Sequence, residues 1–210
     1  MVQLPLIIEN KDKKQSSVKF QVDGKILNEL SKQVSSHLFA LGELMKNSYD
    51  AEATSINITL DMKNNYLKIE DNGTGISEDN IKSLFHIAKS GKEYGRVFNF
   101  NLDKKTITRY TQGSKGLGLF CAFKFGDIVK WDTKYEDKPA YSITINKNNV
   151  IELSDITEIN FPLVQSSRHE RGTVITIALD PNDEEVDFIY DFFTNNNHSK
   201  KLVNFSMMRT

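Results

Sequence analysis

The chain has 210 residues, 39% hydrophobic and 26% charged, with 27 lysines and arginines against 28 aspartates and glutamates. That balance describes a globular chain able to bury a core, and its near-neutral charge gives no sign of general attraction to nucleic acid or anionic lipid. No apolar run approaches the ~20 residues of a membrane span, the one cysteine, Cys121, excludes an internal disulfide framework and fits a reducing cytoplasm, and the four histidines lack metal-ligand spacing.

In chain order, residues 1–16 are polar and lysine-rich and read as an arm, after which VKFQV (18–22) alternates like a short strand. From about Lys25 to Tyr49, apolar residues fall at Leu27, Leu30, Val34, Leu38, Leu41 and Met45, a three-and-four spacing that predicts one long helix with a single buried stripe. SINITL (55–60) and YLKIE (66–70) alternate about the turn residues DMKNN, which predicts a hairpin. Ser77 with Asp79 opens a helix through IKSLFHIA, and Lys89 to Gln112 reads as a polar, glycine-spotted excursion over the surface. GSKGLGLFCAFKFGD (113–127) passes from a glycine-rich turn into a short apolar helix ending at Gly126. DIVKWD, YSITI, NVIEL and GTVITIAL follow as strands, and PNDEEVDFIYDFF starts with a proline and acidic turn suited to a helix. This order predicts an α+β two-layer sandwich, a mixed, mostly antiparallel sheet with helices on one face. It forms one domain over residues 17–194 with a tail from 195 to 210.

Three segments carry polar groups that a plain scaffold does not need. ELMKNSYD places Glu43, Asn47 and Asp50 on the side of the helix away from the apolar stripe, with Ala51 leaving room beside them. A carboxylate and an amide one turn apart can hold a magnesium ion and a water together, although a wet helix face is the plain alternative. IEDNGTGIS ends a strand on Asp71 and follows it with Gly73 and Gly75. This is either an ordinary turn or backbone approached closely by something flat, with Asp71 placed to accept from an exocyclic amine. Gly113, Ser114, Lys115, Gly116, Leu117 and Gly118 precede a helix and supply backbone amides and a lysine to an anion, unless they are simple loop glycines.

Taken in order, ELMKNSYDAEAT, IEDNGTGI, GSKGLGL and RGTVITI resemble the four sequence boxes of the GHKL ATPase superfamily, the group of gyrase B, the large heat-shock chaperone, histidine kinases and MutL. The continuation NSYDAEAT is similar to the MutL and MORC side, and Lys89 to Lys92 resembles a serine and lysine feature of MORC-like ATPases. The resemblance implies a Bergerat-type ATP-binding fold with ATP and Mg2+ as ligands. In it Glu43 is the general base for the attacking water and Asn47 the magnesium ligand. Asp50 and Ala51 line the pocket, and Asp71 takes the hydrogen bond from adenine N6. Gly73, Gly75 and Ile76 lie against the base, and Thr173 supports it from the strand beneath. Lys92 and Gly113 to Gly118 wrap the phosphates. In MutL-like and gyrase-like relatives a lysine from a following domain reaches the γ-phosphate. Here the tail after residue 194 is expected to be the start of such a domain, with Arg96, Lys104, Lys105 or Arg109 as substitute cations or merely solvated charge.

The implied activity is slow, Mg-dependent ATP hydrolysis that drives a conformational switch, with an ATP-dependent homodimer and a DNA or protein partner reached through regions outside this chain. A histidine-kinase-like phosphotransfer domain and a non-hydrolysing ATP-dependent binding module are the alternatives. Cys121 reads as a small buried hydrophobe. Trp131, Phe188, Tyr190, Phe192 and Phe193 read as core or docking surface.

Overall fold

The computed structural model describes residues 22–83, 94–102, 105–112, 120–156 and 159–194. Six strands form one sheet in the order β1-β2-β8-β5-β6-β7: β1 Ile56–Asp61, β2 Tyr66–Asp71, β8 Gly172–Ala178, β5 Ile128–Lys134, β6 Ala140–Asn146 and β7 Val164–Ser166. Each of these pairings is antiparallel. Burial alternates along the central strands, so one face of the sheet is interior. On it lie Leu67 and Ile69 of β2, Ile175 and Ile177 of β8, Val129 and Trp131 of β5, and Ile143 and Ile145 of β6. Helices α1 (Ile26–Lys32), α2 (His37–Asp50), α4 (Lys147–Ile151) and α5 (Glu184–Thr194), with a 3₁₀ turn at Phe120–Lys124, complete that core through Leu27, Leu41, Leu44, Phe120, Phe123, Val150, Val186 and Ile189. Each such fully buried aliphatic or aromatic side chain stabilises by about 1.5–3 kcal/mol. The expected α+β sandwich is the observed architecture.

Four local expectations are corrected. The single helix expected from Lys25 to Tyr49 is two, because Ser36 turns extended (φ −159°) and its hydroxyl accepts from the Phe39 amide at 3.1 Å, a cap that outcompetes helix continuation. NVIEL is mostly helix α4 rather than strand. The Asn146 side chain accepts from the Asn148 amide at 3.0 Å, and Val150 points into the core. The apolar helix expected after residue 118 is the tighter 3₁₀ turn. The surface excursion contains a second, two-stranded sheet, β3 (Val97–Leu102) with β4 (Lys105–Tyr110). Its alternation, VFNFNL and KTITRY, is hidden by asparagine and threonine on the exposed face. The predicted helix through IKSLFHIA is seen as α3, Glu78–Ser83, and its remainder lies outside the described residues, as do most of VKFQV, the arm and the tail.

Helices α2 and α5 are joined by one buried imidazole. His37 Nδ1 lies 2.5 Å from Glu185 Oε2 and Nε2 lies 2.8 Å from Asp183 Oδ2, while the ring meets Phe125 edge-on at 5.1 Å. The hydrogen bond from His37 holds the Glu185 carboxyl below the usual glutamate range. A carboxyl depressed in the folded state contributes above its unfolded value, and that contribution is lost as pH falls through the folded one. His37→Ala, which removes a buried ring and its two hydrogen bonds, is expected to lower unfolding free energy by about 2 kcal/mol near neutrality. In urea titrations the difference from the parent shrinks below about pH 4. An unchanged difference at both pH values leaves packing against Phe125 as the whole effect.

Candidate functional site

At one end of the sheet the buried rows turn polar together. The inward positions run Leu67, Ile69, Asp71 on β2, Ile177, Ile175, Thr173 on β8, and Val129, Trp131, Thr133 on β5. The register sets Trp131 opposite Ile175 and Thr133 opposite Thr173, so the three polar groups end adjacent rows at the same edge. A buried carboxylate is costly unless hydrogen-bonded. Asp71, 7% exposed, accepts at Oδ1 from the amides of Gly73 (2.9 Å) and Thr173 (3.2 Å) and at Oδ2 from the Ser48 hydroxyl (2.9 Å). An ionised carboxylate offers about four acceptor positions. Three are taken by described residues, and the fourth, on Oδ2, is suited to an amine donor.

Beneath it, the Thr133 hydroxyl accepts from the Ile76 amide at 2.9 Å and lies 3.0 Å from the Thr173 hydroxyl, tying the loop after β2 to β5 and β8. Ser48 and Thr133 were missed in reading the sequence, yet both had a signal. Ser48 falls one turn after Leu44 on the buried stripe of α2, and Thr133 occupies the next inward position after Trp131.

The DNGTG loop packs on the end of α2. Asn72 Oδ1 accepts from the amides of Thr54 and Ser55, both at 2.9 Å, and the Thr74 amide donates to the Ala51 carbonyl at 2.7 Å. A Cβ on Gly73 would lie 2.5 Å from the Ala51 carbonyl oxygen. One on Gly75, whose φ is +74°, would lie 2.0 Å from that of Lys134. The space these glycines spare is therefore taken by the protein's own backbone, which brings Asp71, Ile76 and Ala51 together.

Helix α2 presents the remaining residues. Glu43, with a side chain 23% exposed, pairs through Oε1 with Lys46 Nζ at 2.5 Å, and Lys46 also lies over the Phe39 ring. Asn47, half-buried, follows Lys46 and precedes Ser48. The Cys121 thiol is pushed up to about 12, first by burial and then by the Glu43 carboxylate, so it stays protonated and serves as a small apolar core group. Asp50 Oδ1 accepts from the Gln112 amide at 2.8 Å.

Arg109 is neither solvated charge nor a spare cation. It donates through Nη1 to the carbonyls of Tyr49 (3.0 Å) and Ala53 (2.8 Å) and stacks over the rings of Tyr49 and Phe100. A cation thus sits on the negative end of the helix dipole beside Asp50, where that carboxylate alone would be unfavourable. Arg96 and Lys105 are exposed. Lys104, Lys92 and Gly113 to Gly118 lie outside the described residues. Trp131 is core, packed edge-on against Phe123, whereas Phe188 and Tyr190 are exposed.

The family described as "Histidine kinase-, DNA gyrase B-, and HSP90-like ATPase" matches residues 34–185. Chaperone protein HtpG of Fusobacterium nucleatum is 29% identical over 145 residues, 68% of this chain and 22% of that protein. The TNF receptor-associated protein 1 homolog of Dictyostelium discoideum is 31% identical over 132 residues, 62% of this chain and 17% of that protein. DNA mismatch repair protein MutL of Staphylococcus carnosus is 47% identical over 45 residues, 21% of this chain and 7% of that protein. The chain therefore spans about a fifth or less of the length of these relatives. The match over residues 34–185 takes in α2, the Asp71 loop, β5 and Thr173 of β8, and by it the chain belongs to the histidine kinase-, DNA gyrase B- and HSP90-like ATPase family.

Proposed function

We propose that this chain binds Mg·ATP at the Asp71 end of the sheet and hydrolyses it slowly, the nucleotide acting as a switch that favours pairing of two copies. The observation that supports this most is the Asp71 carboxylate, held by three protein donors with one acceptor position left for the exocyclic amine of adenine. Thr173 and Ile76 are assigned to the base, and on α2 Glu43, about one and a half turns before Ser48, and Asn47, the residue next to it, are assigned to the phosphate side.

The donor set fits magnesium. Among the described residues no cluster of three histidine, cysteine or acidic side chains is arranged to hold a metal. Mg2+ in nucleotide sites ordinarily takes one or two protein oxygens together with phosphates and waters. The Asn47 carbonyl oxygen supplies the protein ligand, and the ion neutralises phosphate charge. Glu43 orients a water and takes its proton as the water oxygen bonds to the γ-phosphorus and the bond to the β-phosphate oxygen breaks, releasing ADP and phosphate. Lys46 holds one oxygen of Glu43, which leaves the other for the water. Lys92 and the backbone of Gly113 to Gly118, with Ser114, Lys115, Gly116 and Leu117, are assigned to the phosphates. Among the described residues no helix is long and apolar enough to cross a membrane.

Isothermal titration with ATP in the presence of magnesium, followed by phosphate release measured across protein concentrations, tests the reading. Binding is expected, with release per chain rising with concentration as pairing sets in. Absence of binding overturns the assignment. Binding with no release at any concentration favours the non-hydrolysing module.

A further inference from the structure

Helix α2 ends in a conformation that needs support from elsewhere. The Glu52 amide donates to the Tyr49 carbonyl and the Ala53 amide to the Ser48 carbonyl, both at 3.1 Å, which closes the helix with Glu52 in the left-handed region (φ +63°). A residue other than glycine there costs about 1–2 kcal/mol. The support comes from Arg109, which bonds the carbonyls on either side of Glu52, those of Tyr49 and Ala53, and lies over the rings of Tyr49 and Phe100 at 4.4 and 4.8 Å.

Arg109 belongs to the β3–β4 hairpin, whose inward face is Phe98, Phe100, Ile107 and Arg109. The ladder runs on past Tyr110: the Thr111 amide donates to Arg96 at 2.9 Å and the Gly95 amide donates to Thr111 at 2.8 Å, with Thr111 buried. The next amide, that of Gln112, donates to Asp50 Oδ1 at 2.8 Å. In the sequence Gln112 is followed directly by Gly113.

We propose that Arg109 and Asp50 act together as a latch that seats the β3–β4 hairpin on the C-terminal end of α2, fixing where the chain leaves Gln112 relative to Glu43 and Asn47. Arg109 is then a positioning residue for the nucleotide site, acting through the helix end and through Gln112. Asp50 serves as a hydrogen-bond acceptor for the chain itself. This role for the site rests on the ATP reading, whereas the latch itself does not.

The two are separated by two measurements. In the nucleotide-free protein, hydrogen exchange of the Gln112 amide followed by NMR is expected to quicken at least about tenfold in Arg109→Met and in Asp50→Ala. It stays near the parent rate in Asp50→Asn, because the amide oxygen of asparagine still accepts. Exchange unchanged in Arg109→Met, or equally fast in Asp50→Asn and Asp50→Ala, overturns the latch. In Mg·ATP titrations Arg109→Met and Asp50→Ala each weaken affinity about tenfold, the double variant is little worse than either single one, and Asp50→Asn restores most of the loss. Faster exchange with unaltered affinity overturns the positioning role. If the parent chain binds no ATP, the functional reading fails and the latch is judged by exchange alone. Should Arg109→Met not fold, Arg109→Lys, which keeps the charge but not the planar fork, is read in the same way.

Discussion

Glu43→Ala is expected to lower phosphate release from Mg·ATP by about 10²–10⁴-fold, the usual worth of a general base, while ATP affinity stays within about threefold of the parent. The direction follows from where the side chain sits. Glu43 is on α2 one turn before Asn47 and about one and a half turns before Ser48, the residue that donates to Asp71, so its removal takes nothing from the Asp71 end of the proposed pocket. Its carboxylate pairs with Lys46, three residues on, with both side chains partly exposed. Pairs of that kind contribute about 0.3–0.5 kcal/mol, so stability changes little and cannot mimic a hundredfold kinetic loss. Single-turnover measurement at saturating ATP separates the cases. Turnover at the parent rate removes Glu43 from the base role, and weakened binding with unchanged turnover makes it a ligand of the nucleotide instead.

Much of the fold was legible because its strands keep a period of two. DIVKWDT, YSITI and GTVITIA bury alternate residues as they stand in the chain, and the strand signal survives in the register of β5 with β8. What escaped was decided by single side chains acting on backbone. The apolar stripe from Leu27 to Met45 is continuous, so periodicity cannot see that Ser36 breaks it with one hydrogen bond. In NVIEL the β-branched residues argue for strand, and the caps from Asn146 win. The β3–β4 hairpin was obscured because its outward face is polar, Asn99 with Thr108 and Asn101 with Thr106, as suits a ribbon with solvent on that side.

The site divides along the same line. Residues with chemistry of their own, Glu43, Asn47 and Asp71, stood out by type and spacing. Ser48 and Thr133 did not, and Arg109 was legible only as a charge, since their importance lies in which distant group they meet: Asp71, the Ile76 amide and the carbonyls around Glu52. Such contacts are tertiary facts, fixed only when β5, the loop after β2 and the hairpin are in place.

Asp71→Asn is expected to lose at least about a hundredfold in ATP affinity while remaining folded, and the hydrogen bonds already present dictate how. The asparagine oxygen must take the Oδ1 position, because two amides, those of Gly73 and Thr173, donate there and an NH2 group would face both. The NH2 then stands at Oδ2. Ser48, whose hydroxyl donates to that atom, can rotate to accept instead, so the buried network survives at a cost of about 1 kcal/mol. The remaining position on that atom cannot adapt in this way. In the proposed site it accepts from the exocyclic amine of adenine, and in the variant it donates, so that amine meets a second donor at a buried position. The same inversion favours a purine carrying a carbonyl in place of the amine. Titration with inosine triphosphate is therefore expected to show Asp71→Asn preferring it to ATP, reversing the parent's order. Equal affinity of parent and variant for ATP would place the base elsewhere, and a variant that loses both nucleotides equally would make Asp71 a keystone of the loop rather than its reader of the base.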